Sequence, residues 1–150
     1  MAEAEAEAEG AQALRFVEEK SVTKTANAVF KGLKAFNLEK AGSAKYKRFA
    51  ISVRNDGDEI VGGIVAYTAW NWCFIELLWV DEALRGSGSG RELVARVEAV
   101  AASRGARYIY VDTFSLQGDG FYQKLGYDVY GKLDDFPPGF HRIWLKKELS

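Results

Sequence analysis

Five small residues in a row, Gly86-Ser87-Gly88-Ser89-Gly90, stand inside "LRGSGSGRELVARV" and are the first place in this chain where chemistry is offered. No domain boundary falls there, which disfavours a spacer. A helical pattern follows, which disfavours a hairpin tip. Two readings remain: an ordinary tight strand-to-helix turn, or a loop whose backbone folds around an anion. At a helix N-terminus four N–H groups lack intrahelical acceptors and the macrodipole adds roughly half a positive charge, so an anion is well served there. No Lys-Ser/Thr pair follows the last glycine and the spacing is not GxGxxG, so ATP and NAD are disfavoured.

Glu76 and Asp112 are the second feature, because each is a charge inside an otherwise apolar run, "CFIELLWV" and "ARYIYVDTF". An unpaired carboxylate in such a place is costly. Each therefore calls either for a working role, such as a general base, or for a nearby Arg or Lys. Cys73 has no adjacent base and reads as a small core residue. His141 opens a strand and reads first as a surface imidazole, second as a substrate-side group. No cluster of Cys, His and carboxylates has metal-ligand spacing, so no metal is expected.

The elements that must position these residues follow from periodicity. "LRFVEEK" reads as a short strand. Val22, Ala26, Val29, Phe30 and Leu33 then recur at helical spacing, with Ser21 or Thr23 placed to cap and Asn37 placed to stop, which predicts a helix over Thr23 to Phe36. Around "NDGD" lie two β-rich runs, a hairpin. A turn at Trp70-Asn71-Trp72 leads into "CFIELLWV", whose near-continuous apolar character suits a strand covered on both faces. Past the glycine loop, Leu93, Val94, Val97, Val100 and Ala101 mark one helix face that ends at Gly105, and "ARYIYVDTF" is the next strand. Strand, loop, helix and strand make a right-handed crossover with the two strands parallel. A short helix over Asp119 to Leu125, the strand "YDVYGKL", the loop "DDFPPGF" and the strand "HRIWLKKEL" complete the chain.

Composition narrows the class. The 150 residues are 48% hydrophobic, enough for one domain over 11–150; a domain this size buries roughly 70% of the surface its unfolded chain exposes. Residues 1–10, "MAEAEAEAEG", have no apolar face and are expected to be a disordered tail. Lys plus Arg number 20 against 21 for Asp plus Glu, which argues against nucleic acid as a partner. No apolar run approaches the roughly 20 residues that span a bilayer, and no signal peptide is apparent. With one cysteine there is no intrachain disulfide, and the expected compartment is the cytoplasm.

With the loop and its flanks in view, the chain resembles the GNAT superfamily of acyl-CoA-dependent N-acetyltransferases. The family signature Q/R-x-x-G-x-G/A is matched by Arg85, Gly88 and Gly90, and "IELLWVDEALRG" is similar to the family's fourth strand and turn. Downstream, "GFYQKLGY", Gly120 to Tyr127, is similar to the family's "FYxKxGF" segment. The resemblance covers about Ile60 to Leu149 and implies an α/β fold with a mixed, mostly antiparallel central sheet flanked by helices.

The resemblance also implies roles. The pyrophosphate of acetyl-CoA would sit on the backbone of Arg85, Gly86, Ser87, Gly88, Ser89 and Gly90, with the pantetheine along Leu78, Trp79 and Val80. A backbone N–H near Leu78 would meet the carbonyl oxygen as it gains charge. Tyr122 would protonate the departing thiolate; the alternative is a tyrosine packing its ring in the core. The Asn that often precedes the tyrosine helix in the family, a cofactor-side contact there, is missing, its place falling at Ser115 or at Gln117, and Gln117 is taken as the tenth cofactor-side residue. Glu76 ranks ahead of Asp112 as base, because in a regular strand it would share a face with Leu78, two residues on. Trp70, Trp72 and Phe136-Pro137-Pro138 would wall an acceptor pocket, or simply pack.

The implied function is acetyl transfer from acetyl-CoA to the amine of a small molecule or peptide. The rival is a non-catalytic module of the same fold that binds acyl-CoA or mediates dimerisation; a homodimer is compatible with either.

Overall fold

Alternating side chains on either side of the Asn55-Asp56-Gly57-Asp58 turn fold the chain back on itself, so that β1 (Lys47–Arg54) and β2 (Ile60–Ala69) pair antiparallel. Asp58 takes the left-handed conformation and the Asn55 side chain accepts the Glu59 N–H at 3.0 Å, which closes the turn. Trp70, also left-handed, and Asn71 then turn the chain into β3 (Trp72–Val80). The helix α1 (Val22–Ala41) precedes β1 in the chain, and after β3 a 3₁₀ turn, Glu82–Leu84, leads to the glycine loop and α2 (Ser89–Ser103). The strand β4 (Tyr108–Phe114) lies parallel beside β3, followed by a 3₁₀ turn (Ser115–Gln117), the short helix α3 (Phe121–Lys124), β5 (Asp128–Asp134) and β6 (His141–Glu148). The sheet order is β1-β2-β3-β4-β6-β5, antiparallel except for β3 and β4, which is the mixed architecture expected.

This computed structural model describes residues 12–118 and 120–150, so the expected tail at 1–10 lies outside them. Two compact units divide between Gly42 and Ser43. In the first, α1 runs past Asn37 to Ala41, where the Gly42 N–H, at φ 75°, bonds the Leu38 carbonyl. Asn37 does not stop the helix, because Gly42 supplies the positive φ that a helix end favours. Ser21 sits at the cap position without a side-chain capping bond. The strand expected at "LRFVEEK" is absent: no ladder partner is recorded for these residues, and a single strand has no stability without one.

In the second unit the core lies on the α2 side of the sheet. Leu93, Val94, Val97 and Ala101 of α2 meet Ile64 and Ala66 of β2, Cys73 and Ile75 of β3, Ile109 and Val111 of β4, and Ile143 and Leu145 of β6. Tyr122 and Tyr127 enter the same cluster. Among the described residues no helix is long and apolar enough to cross a membrane.

Burial gives this core an alkaline limit. It pushes the Cys73 thiol up to about 12 from 9.0, and it raises the Tyr122 and Tyr127 phenols above their ordinary 10.0. Because the folded values lie above the unfolded ones, the stability these groups contribute is intact below about pH 9 and is lost as pH rises through the folded values. The melting temperature should therefore fall between about pH 9 and 12 on account of these groups. The Tyr127 hydroxyl is buried without a hydrogen-bond partner among the described residues. Tyr127→Phe is thus expected to be neutral or stabilising at pH 7 and to weaken the alkaline fall in a pH series of thermal melts.

Candidate active site

β3 and β4 are partners over only part of their length. Trp72–Ile75 pair with Tyr108–Val111; beyond Ile75 and Val111 the ladder stops, while β3 stays on β2 as far as Val80 and β4 stays on β6 as far as Phe114. A wedge opens between two strands whose facing backbone edges carry no ladder bonds. Such an edge is a template for an added extended chain. The first residues past the last pair are Glu76 on β3 and Asp112 on β4.

The split coincides with a register shift. Val65 of β2 pairs with Leu77 and Ala66 pairs with Ile75, so Glu76 is the extra residue of a bulge. Pairing then places Leu78 beside Ile64 and Val80 beside Gly62 on the core face, and turns Leu77 and Trp79 to the other. Two sequence expectations change as a result. Glu76 and Leu78 do not share a face, since the bulge breaks the two-residue period between them. β3 is not covered on both faces either: Leu77 is 62% and Trp79 54% exposed.

At the wide end of the wedge the glycine loop meets α2. Gly86 and Gly88 have φ of 84° and 86°, and a Cβ built on either meets nothing within 4 Å. The Ser87 hydroxyl donates to the Leu84 carbonyl and lies 2.8 Å from the Ser89 hydroxyl, which fixes the loop. No side chain caps α2, and among the described residues the N–H groups of Gly88, Ser89, Gly90 and Arg91 have no acceptor. Neither Arg85 nor Arg91 has an ion-pair partner there. A Cβ on Gly90 would come within 3.4 Å of the Phe121 ring, so this glycine lets α2 approach α3.

A cleft of about 650 Å³ runs from the free edge of β3 to the glycine loop, and Glu76, Asp112 and Tyr122 are not among the residues that line it. Nine of the ten residues expected to hold a cofactor line it: Leu78, Trp79, Val80, Arg85, Gly86, Gly88, Ser89, Gly90 and Gln117. Ser87 instead faces a second groove beside β1, with Arg54 and Arg96. Leu84, Arg91, Leu116 and Phe121 also line the cleft and were not singled out from sequence. Of these only Arg91, a cation directly after the last glycine, carried a readable signal. Gln117 turns its side chain inward, accepting the Phe114 N–H at 3.0 Å, so the carboxamide oxygen is engaged in ordering its own turn.

Both embedded carboxylates turn out to be held by arginines. Arg48 Nε and Nη2 donate to Oε2 of Glu76 at 3.2 and 2.9 Å. Arg142 Nε donates to Oδ1 of Asp112 at 2.8 Å and Nη2 reaches the same oxygen. Arg48 is 57% exposed, so its pair contributes no more than about 1 kcal/mol and serves chiefly to aim the carboxylate. The Arg142 guanidinium is itself packed against Phe114, Phe136 and Trp144, at 4.8 to 5.3 Å from the ring centroids. Phe136 thus packs near Asp112 as part of the guanidinium's setting, while Trp72 stacks on Tyr108 and Trp70 stands half-exposed in its turn.

Tyr122 is 6% exposed, edge-on to Phe121 and Tyr127. Burial raises its phenol above the ordinary value, and the Asp112 carboxylate adds to the effect, so it keeps its proton throughout the neutral range. His141 is half-buried rather than a surface group, and its backbone N–H donates to the Ser115 hydroxyl at 3.0 Å. Cys73 is fully buried, as a small core residue.

A family model described as acetyltransferase (GNAT) family matches residues 22–127, well over half of the chain. A blasticidin-S acetyltransferase of Streptomyces morookaense is 42% identical over 92 residues, which make up 61% of this chain and 68% of that protein. The crystal structure of an acetyltransferase from Bacillus cereus ATCC 14579 superposes with a TM-score of 0.82 at 28% identity, covering 90% of this chain and 98% of that one. An aminoglycoside 6'-N-acetyltransferase crystallised in complex with coenzyme A superposes at 0.59 with 26% identity, covering 69% of this chain and 73% of its own.

Proposed function

The chain belongs to the acetyltransferase (GNAT) family, and on that footing we propose that it moves the acetyl group of acetyl-CoA directly onto the nitrogen of an amine borne by a small molecule or peptide. One observation carries the reading: a single cleft joins the unpaired edge of β3 at one end to helix N–H groups that have no acceptor among the described residues at the other. The open space over Gly86 and Gly88, and Arg85 and Arg91, which have no ion-pair partner among the described residues, suit a diphosphate. The free edge of Leu78 to Val80 suits an amide-bearing chain lying alongside it.

Acetyl-CoA supplies the activated acyl group. A backbone N–H near Leu78 donates to its carbonyl oxygen as charge builds there. An amine is protonated at neutral pH, so Glu76, reached directly or through water, takes the proton that frees the nitrogen lone pair, with Asp112 second in rank. As the N–C bond forms and the C–S bond breaks, Tyr122 gives its proton to sulfur.

Gly88→Val should weaken acetyl-CoA binding in a folded protein, because a β-branched residue at φ 86° is strained and its side chain would stand where the phosphate approaches. Calorimetry reads this, and unchanged affinity would reduce the loop to a turn. The arginine-held carboxylates favour, as a second reading, a module that binds acyl-CoA without turnover. Incubation with acetyl-CoA and an amine library separates the two, since the enzyme releases free thiol with an acetylated amine and the module releases none. A reducing cytoplasm, which a buried thiol suits, is the compartment we propose.

A further inference from the structure

Two hollows share the glycine loop. Beside the cleft that takes in the free edge of β3, a second groove of about 520 Å³ runs between β1 and the first turns of α2. Small-molecule sites have volumes of roughly 300 to 1,000 Å³, so the groove is large enough to hold a ligand group of its own. Gly88 and Ser89 line both hollows, and Ser87, the one loop residue that does not line the cleft, lines the groove. A molecule seated on the loop therefore stands at the entrance of each.

The lining of the groove combines apolar surface with cations. Ile51 and Val53 of β1 and Leu93 of α2 give it an apolar wall, which suits one face of a planar base. Arg54, at the end of β1, and Arg96, on α2, bring two guanidinium groups to it from different elements. Each is only partly committed: Arg54 gives Nη1 to the carbonyl and carboxylate of Asp58, and Arg96 gives Nε to Glu92. Nε and Nη2 of Arg54, and Nη1 and Nη2 of Arg96, have no acceptor among the described residues. Both ion pairs are exposed i,i+4 contacts, which are weak, so they leave the cations open to a further anion.

One part of acetyl-CoA still lacks a place. With the pantetheine along Leu78 to Val80 and the diphosphate on the loop, the adenosine and its ribose phosphate lie beyond the loop. From this geometry we propose that the groove takes that end of the cofactor, with the base against Ile51, Val53 and Leu93 and the ribose phosphate between Arg54 and Arg96. A phosphate monoester carries about two negative charges at pH 7, and guanidinium forks match its oxygens. The inference rests on the acetyl-CoA reading of the cleft. Arg54 and Arg96 are then specificity residues for the acetyl donor, while Arg91, which lines the cleft and not the groove, serves the diphosphate.

Calorimetric titration of the full-length protein with CoA and with dephospho-CoA, which lacks only the ribose phosphate, tests this without an acceptor. CoA should bind roughly 3- to 30-fold more tightly, as expected of two partly exposed charge-assisted contacts. In the double variant Arg54→Gln/Arg96→Gln the gap should close to within about twofold. In Arg91→Gln both ligands should weaken together and the gap should remain. Arg54 and Arg96 are 48% and 63% exposed, so replacing them leaves the core intact, and the wild-type comparison decides without any variant. Equal affinities in the wild type, or a gap that survives the double substitution, overturn the inference. So does a gap that closes in Arg91→Gln instead, which would put the ribose phosphate in the cleft. If neither ligand binds, the cofactor reading falls and the inference with it, whereas equal binding of both sinks only the groove.

Discussion

Tyr122→Phe is expected to lower kcat by roughly 10²- to 10⁴-fold while leaving the fold and acetyl-CoA affinity close to wild type. The substitution removes one oxygen and nothing else. The ring contacts with Phe121 and Tyr127 that place the residue in the core remain available to phenylalanine. What is lost is a proton that burial and the Asp112 carboxylate keep in place across neutral pH. A thiolate leaving without it must wait for solvent. The measurement is steady-state kinetics on any amine found in the library screen. A variant with wild-type kcat would confine Tyr122 to packing.

Glu76→Gln should depress kcat/KM by a comparable factor, roughly 10²- to 10⁴-fold, and abolish the acidic limb of its pH profile, because the group that must be ionised is gone. Stability should hardly change, since the lost pair with an exposed Arg48 is worth no more than about 1 kcal/mol. Asp112→Asn should leave the acidic limb in place. It should cost more stability, because the guanidinium of Arg142, 27% exposed and packed among three rings, would lose its counter-charge. If Asp112→Asn alone removes the limb, the two carboxylates exchange roles.

Much of the fold was legible because its signals are local. The turn at Asn55 to Asp58, the apolar stripe of α2 ending at the left-handed Gly105, and the strand-loop-helix-strand order each depend on a few neighbouring residues. The loop's residue types likewise announced a cleft-lining segment, and the apolar setting of Glu76 and Asp112 announced that each needed a reason. The bulge at Glu76 was not legible, because it is a mismatch between β2 and β3 and neither strand marks it with glycine or proline. That one residue reversed the face on which Glu76 was expected and exposed Leu77 and Trp79. Arg48 and Arg142 were equally hidden, lying 28 and 30 residues from their carboxylates and brought there only by strand pairing. "LRFVEEK" shows the converse: β-prone residues do not make a strand where no partner is recorded.

The central claim is that one cleft takes acetyl-CoA along the free edge of β3 and on the N–H groups of the glycine loop. Backbone amide hydrogen exchange, resolved by residue and compared with and without acetyl-CoA, tests it most directly and needs no acceptor. Slowed exchange is expected at Leu78 to Val80 and at Gly86 to Arg91 together, with the distal strands β5 and β6 unchanged. Saturating acetyl-CoA that slows exchange at neither segment, or only elsewhere, would contradict the account.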